Sequence, residues 1–281
     1  MKRKKISIII VLAMGIVIST GLIGCNEQKN ADNNNNYAVS AANEDDKQQS
    51  NKHDGSAAEE AEIKDKEEEE KAAKQAELAT LEEIKNDDLF MLVNRQNELD
   101  PSYEPLEIKE CDFDFISYIV TTTLDKRTAD AAKEMFLAAE EDGIKLLGAS
   151  GYRSYSIQES LYNGRAASLG VEEADKYTAR PGQSEHQTGL ALDILSEDYQ
   201  EMDDGFENTA SYTWLVNNCY KYGFILRYPK GKEDITGYLY EPWHFRYIGN
   251  AEIAKEIMDR GLTFEEYLSE VNEKIKILEQ E

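Results

Sequence analysis

The sequence is poor in histidine, cysteine and positive charge. Its 281 residues include three His, three Cys, five Pro and two Trp, and 31 Lys and Arg stand against 56 Asp and Glu, a formal net charge of −25. That balance excludes the nucleic-acid-binding classes, whose hold on phosphate rests on clustered Lys and Arg. The cysteines, at positions 25, 111 and 219, match none of the paired spacings of zinc fingers, which excludes a cysteine-based metal module. Cys111 and Cys219 remain either two thiols or one disulfide of an oxidising compartment. No internal repeat is present, so solenoid and propeller architectures are excluded, and no feature implies an obligate protein partner.

Only one long apolar run occurs. Residues 1–25 begin with Lys2, Arg3, Lys4 and Lys5, continue apolar from Ile6 to Ile23, and end at Gly24-Cys25. This is the layout of a secretory signal. The ending Leu22-Ile23-Gly24-Cys25 resembles a bacterial lipobox, which implies lipidation at Cys25; an uncleaved transmembrane anchor is the alternative. Either way the chain is expected outside the cytoplasm, held at the membrane by its N-terminus.

Residues 26–85 change to Asn, Gln, Ser, Asp, Glu, Lys and Ala, with four consecutive glutamates at Glu67 to Glu70. Such a stretch buries too little surface to offset its chain entropy. Its second half is rich in helix formers, so a solvated helix is expected there. Ile63, Leu78, Leu81 and Ile84 are too sparse for a coiled-coil seam. The segment reads as a stalk, spanning on the order of 40 Å if it behaves as a coil.

Regular apolar spacing begins near Asp88, which sets a single folded domain over residues 86–281. Thr128 is a candidate cap for a helix running to about Asp142 and stopped by Gly143. Ile144 to Ser150 reads as a buried strand, and Ser156 with Glu159 as a capping box opening a second helix that ends near Gly170. In Leu190 to Leu195 the alternation puts Leu190, Leu192 and Ile194 on one face, with Ala191 and Asp193 on the other. A third helix is expected over Ser211 to Tyr222, followed by strands at Phe224 to Tyr228, Gly237 to Tyr240 and Phe245 to Ile248. Hairpin-length spacing of the late strands favours an α+β fold, an antiparallel sheet flanked by helices.

Scarcity makes the histidines informative. His53 lies in the stalk, leaving His186 and His244 for the folded domain. Two imidazoles and the outward carboxylate of Asp193 form a three-ligand set suited to zinc, whose catalytic sites keep a fourth position for water. Glu241, three residues before His244, is a spare carboxylate that a turn through Pro242 would bring to the same side. A zinc site with a nearby general base hydrolyses a peptide bond without a serine or cysteine nucleophile.

Three stretches carry a resemblance: Ser150-Gly151-Tyr152-Arg153-Ser154 followed by Gln158; Ser184-Glu185-His186-Gln187-Thr188-Gly189-Leu190-Ala191-Leu192-Asp193; and Glu241-Pro242-Trp243-His244-Phe245-Arg246-Tyr247. In order and spacing they resemble the VanY-type D-alanyl-D-alanine carboxypeptidases, zinc peptidases of peptidoglycan that include L,D-carboxypeptidases. The resemblance covers roughly Leu89 to Leu268. It implies zinc on His186, Asp193 and His244, Glu241 as catalytic base, and Arg153 at the active site, where a guanidinium fork suits a substrate carboxylate or developing oxyanion. It implies that Gln158 and Ser184 help hold the peptide end, while Tyr152 and Trp243 read as packing residues beside the site. The implied activity is removal of the C-terminal D-Ala from peptidoglycan stem peptides, with D,D cleavage favoured and L,D cleavage of tetrapeptide stems as the alternative. A zinc-braced binding module is the contrasting class, and the spare Glu241 argues against it. An endopeptidase is a third, and the Arg153 clamp argues against that.

Overall fold

The computed structural model describes residues 54–117 and 121–280; the signal segment with Cys25, the first half of the stalk and His53 lie outside the described residues. The chain falls into two units, Met1–Glu69 and Glu70–Glu281. In the first, the described residues form the start of helix α1 (Asp54–Asn86), where Lys66 pairs with Glu62 one turn earlier in an exposed contact of the weak surface kind.

In the second unit the last turns of α1 are not solvated. Leu81 and Ile84 are buried, with Leu78 packed beside them, against Phe90, Ile253, Ile257, Tyr267, Val271 and Ile275. The compact unit therefore starts upstream of the expected residue 86, because three apolar positions at helical spacing suffice for one buried stripe. A chain begun at residue 70 is expected to unfold in denaturant at the midpoint of the full protein. One begun at residue 86 loses two buried aliphatic side chains and about 3–6 kcal/mol. Equal midpoints for the two truncations would show that Leu81 and Ile84 contribute nothing.

A two-stranded sheet of β1 (Ile108–Glu110) and β2 (Thr123–Asp125) precedes helix α2 (Lys126–Glu141). Asp125, not Thr128, caps α2 by accepting from the Arg127 amide, and Thr128 is buried within the first turn. The main sheet is antiparallel throughout, in the order β3 (Leu146–Ser150), β4 (Ala191–Ser196), β6 (His244–Tyr247) and β5 (Phe224–Leu226). Between β3 and β4 come α3 (Tyr155–Leu169) and α4 (Val171–Tyr177). Ser154, two residues before the expected Ser156, caps α3 through the Ile157 amide. Helix α5 (Ala210–Asn218) gives way to a 3-10 turn, Cys219–Tyr222, that ends at Gly223. Short α6 (Glu233–Thr236), α7 (Ala251–Arg260) and α8 (Phe264–Gln280) complete the chain. Thr263 and Glu266 form a reciprocal capping box at the start of α8.

The strand expected at Gly237 to Tyr240 is irregular chain. Its aromatic alternation serves buried hydroxyls instead of a ladder: Tyr238 donates to the Gln183 carbonyl and Tyr240 to the Tyr212 hydroxyl. Cys111 and Cys219 are free thiols, and burial pushes both up to about 12, so they are inert at neutral pH. The larger core lies on the face of the main sheet that carries Leu192, Ile194 and Phe245, packed by Met135, Phe136, Leu215 and Phe224. The opposite face of β4 is covered as well, since all its residues are buried. Asp193 thus leaves the larger core as its alternation requires, yet it does not reach open solvent.

Candidate active site

Sheet register assembles the site. Asp193 on β4 lies directly opposite His244 on β6, and Ala191 opposite Arg246, so one carboxylate and one imidazole share a face as a cross-strand pair. The third residue comes from the turn before β4. Glu185–Thr188 is a single 3-10 turn closed by Gly189 in the left-handed region (φ 70°). A Cβ there would meet the Asp125 amide nitrogen at 2.7 Å, so only glycine lets this turn seat against the N-terminus of α2. The turn points His186 at Asp193, with Nε2 3.3 Å from Oδ2.

The ring of His186 is oriented from behind. Its Nδ1 donates to the Gly151 carbonyl at 2.8 Å, which leaves Nε2 bare toward the cluster. Gly151 follows β3 at the point where the β3–β4 register shifts, and a Cβ on it would lie 2.4 Å from the Thr123 carbonyl oxygen. Close backbone approach, not turn geometry, explains the glycine. His244 Nδ1 lies 2.9 Å from Asp193 Oδ1, out of line for a hydrogen bond, so the buried Oδ1 has no hydrogen-bond partner. The two imidazole rings meet edge to face at 5.0 Å, and Tyr228 packs against His244 at 4.8 Å.

Glu241 reaches the cluster through the expected turn. The His244 amide donates to the Glu241 carbonyl, and the Glu241 carboxylate stands 3.7 Å from His244 Nδ1 with 22% of its side chain exposed. Burial pushes its carboxyl up to about 7, reinforced by the charge of Asp193 and opposed by His244 and Arg153. This is a carboxylate tuned toward proton transfer near neutrality. Burial, with Arg153 nearby, lowers His186 to about 4 and keeps it neutral, the form that binds a metal. Burial disfavours charge on His244 too, but the Asp193 and Glu185 carboxylates outweigh it and raise the ring to about 9. Burial likewise opposes the charge on Asp193, and the two histidines overcome it and hold the carboxyl well below the usual range.

Ligand atoms of His186, Asp193 and His244 lie within 4.8 Å of one another, all three residues being buried. An orphaned carboxylate oxygen, a bare Nε2 and an imidazole protonated only because carboxylates surround it are what a divalent cation would satisfy, and the nitrogen and oxygen set fits zinc. Arg153 donates from Nη1 to the Gln158 side-chain oxygen at 2.8 Å, while Gln158 donates to the Ala179 carbonyl at 2.7 Å. Gln158 is therefore buried and occupied in aiming Arg153, whose Nε is buried with no partner. Ser184 is buried, and its hydroxyl makes no hydrogen bond among the described residues. Trp243 is half-buried against the larger core, and Tyr152 is half-buried on the loop after β3.

Sequence reading passed over one group. Glu185 Oε1 accepts from Arg227 Nε at 2.8 Å and Arg246 Nη1 at 2.9 Å, all three side chains being fully buried. Arg227 forks onto Glu265, to which Asn94 also donates. Two signals were available. Arg246 follows His244 by two residues on a strand and must share its face, and Arg227 closes an apolar strand where an unpaired charge would be costly.

A cluster that could hold a cation, with a poised glutamate beside it and an arginine nearby, fits a site of the metallopeptidase class. The family VanY, D-alanyl-D-alanine carboxypeptidase, matches residues 121–250. Putative carboxypeptidase YodJ of Bacillus subtilis (strain 168) is 47% identical over 195 residues, 68% of this chain and 71% of that protein. A structure of the LdcB LD-carboxypeptidase, which concerns peptidoglycan recognition, is 45% identical and covers 65% of this chain and 86% of its own, with a TM-score of 0.61. A mutant of the vancomycin-resistance D,D-pentapeptidase VanY in complex with Zn(II) is 36% identical, covering 64% of this chain and 98% of its own, with a TM-score of 0.53. The chain belongs to the VanY-type carboxypeptidase family.

Proposed function

We propose that this protein is an extracytoplasmic, lipid-anchored zinc carboxypeptidase that releases the C-terminal D-alanine of peptidoglycan stem peptides. The observation that carries the reading is the buried His186–Asp193–His244 cluster with Glu241 held beside it and not within it. His186, Asp193 and His244 would hold a zinc ion, which would supply Lewis-acid polarisation of the scissile carbonyl and a lowered pKa for water. Glu241 takes a proton from the attacking water and returns it to the amine as the peptide C–N bond breaks, which balances the hydrolysis. Arg153, aimed by Gln158, receives the substrate's terminal carboxylate, and the unbonded hydroxyl of Ser184 offers a further contact to the peptide end.

The D,D reading follows the family's description and the Zn(II)-bound pentapeptidase; the likeness to LdcB favours a second reading, L,D cleavage of tetrapeptide stems. Both substrates end in a D-alanine carboxylate. Mass spectrometry of defined pentapeptide and tetrapeptide stems separates them, with loss of one alanine expected first from the pentapeptide. Arg153→Lys is expected to lower kcat/KM about ten- to a hundredfold, since an ammonium cannot reproduce a bidentate fork. C-terminally amidated stems should be cut at a similarly reduced rate by the parent. Equal cleavage of free and amidated stems would overturn the clamp and point to an endopeptidase.

The anchor rests on the lipobox-like Leu22-Ile23-Gly24-Cys25. Cys25→Ser is expected to remove the lipid mass and release the protein from the membrane fraction. Unchanged membrane retention would favour the uncleaved transmembrane segment.

A further inference from the structure

Among the buried polar atoms without a hydrogen-bond partner are Glu185 Oε2 and His244 Nε2. They face each other at 3.7 Å, beyond hydrogen-bond range but closer than any gap a water molecule could fill. Glu185 cannot retreat, because its other oxygen is fixed by Arg227 and Arg246. Those two arginines are fixed in turn: Arg227 by its fork onto Glu265 of α8, Arg246 by the Leu89 and Met91 carbonyls before β1. The His244 ring is likewise confined, edge to face with His186 and packed by Tyr228.

An ionised carboxylate only accepts hydrogen bonds, so the imidazole nitrogen turned toward it must carry the proton. We infer that Glu185 is a positioning residue for the metal: it holds His244 as the Nε2–H tautomer and so presents the bare Nδ1 to the cluster. His244 then has a carboxylate behind it where His186 has the Gly151 carbonyl, and the two ligands offer different nitrogens, Nδ1 and Nε2. The arginines compensate the buried charge, which lets a carboxylate serve where a neutral carbonyl would otherwise be needed. Through Glu185 the metal site is braced by both α8 and the segment before β1. The inference rests on the zinc reading of the cluster.

Two measurements test it. In zinc-loaded, imidazole-15N-labelled parent protein, the ring-nitrogen shifts and their proton couplings should report His244 metallated at Nδ1 with a proton on Nε2, and His186 the reverse. This needs no variant, so it stands even if a substitution fails to fold. Zinc competition with a chelator, run on the same protein and on Glu185→Gln, should show a dissociation constant raised about 10–100-fold in the variant. Circular dichroism of the zinc-loaded variant should match the parent. His244 metallated through Nε2, or an unchanged zinc affinity in folded Glu185→Gln, would overturn the assignment. A parent that binds no zinc would instead sink the metal reading itself, which the first spectrum distinguishes directly.

Discussion

Glu241→Gln is expected to lower turnover on a stem pentapeptide at least about a hundredfold while its zinc content stays that of the parent, the scale on which a positioned general base contributes. The amide keeps the shape of the side chain and the turn to His244, and the three ligand residues are untouched. Loss of zinc in this variant would make Glu241 a ligand and the site a structural one. The same substitution should stabilise the metal-free protein. Folding raises the Glu241 carboxyl from 4.5 to about 7. Between these values the folded state binds more protons than the unfolded one, so stability falls as pH rises through that window and the deficit persists above it. Full burial would make the deficit about 3 kcal/mol; partial exposure reduces it to about 1–3 kcal/mol. Metal-free Glu241→Gln should therefore outlast the metal-free parent in urea at pH 8, and the two should converge near pH 4.

His186→Ala and His244→Ala are expected to fail differently from Glu241→Gln. Each removes a proposed ligand, so zinc should be lost on dialysis, and turnover should fall about a thousandfold or more because several kcal/mol of charge stabilisation go with the ion. Excess zinc should restore part of the activity in either variant, as a two-ligand remnant still binds weakly, and none in Glu241→Gln. Metal analysis and turnover on the same preparations read both effects. Retained zinc in either histidine variant would remove that residue from the ligand set.

The candidate ligand set was legible because each member breaks a local pattern. Asp193 is a carboxylate in an otherwise apolar strand, and alternation alone put it on the face away from Leu192 and Ile194. His186 and His244 were the only histidines of the folded domain, and the turn geometry of Glu241-Pro242-Trp243-His244 followed from spacing. What stayed illegible depends on distant partners. Glu185, Arg227, Arg246 and Glu265 lie 38 to 61 residues apart in their pairings, and no local pattern says which buried charge meets which. The ends of α2 and α3 were misplaced by a few residues because Asp125 and Ser154, at the ends of extended segments, reach the free amides before Thr128 or Ser156 can. Tyr238 and Tyr240 mimicked a strand since aromatic alternation looks the same whether it feeds a ladder or two hydroxyl bonds. The end of α1 looked solvated because Leu81 and Ile84 share their buried cluster with residues of α7 and α8, Ile257 and Val271 among them, far along the chain.

The most direct test of the account is release of D-alanine from a defined stem pentapeptide by the full chain, measured before chelation, after removal of metal, and after return of one equivalent of zinc. The account predicts single-residue release that disappears with the metal and returns with it. Release that persists in the metal-free protein, or a stoichiometrically zinc-loaded protein that releases nothing from either pentapeptide or tetrapeptide, would contradict it.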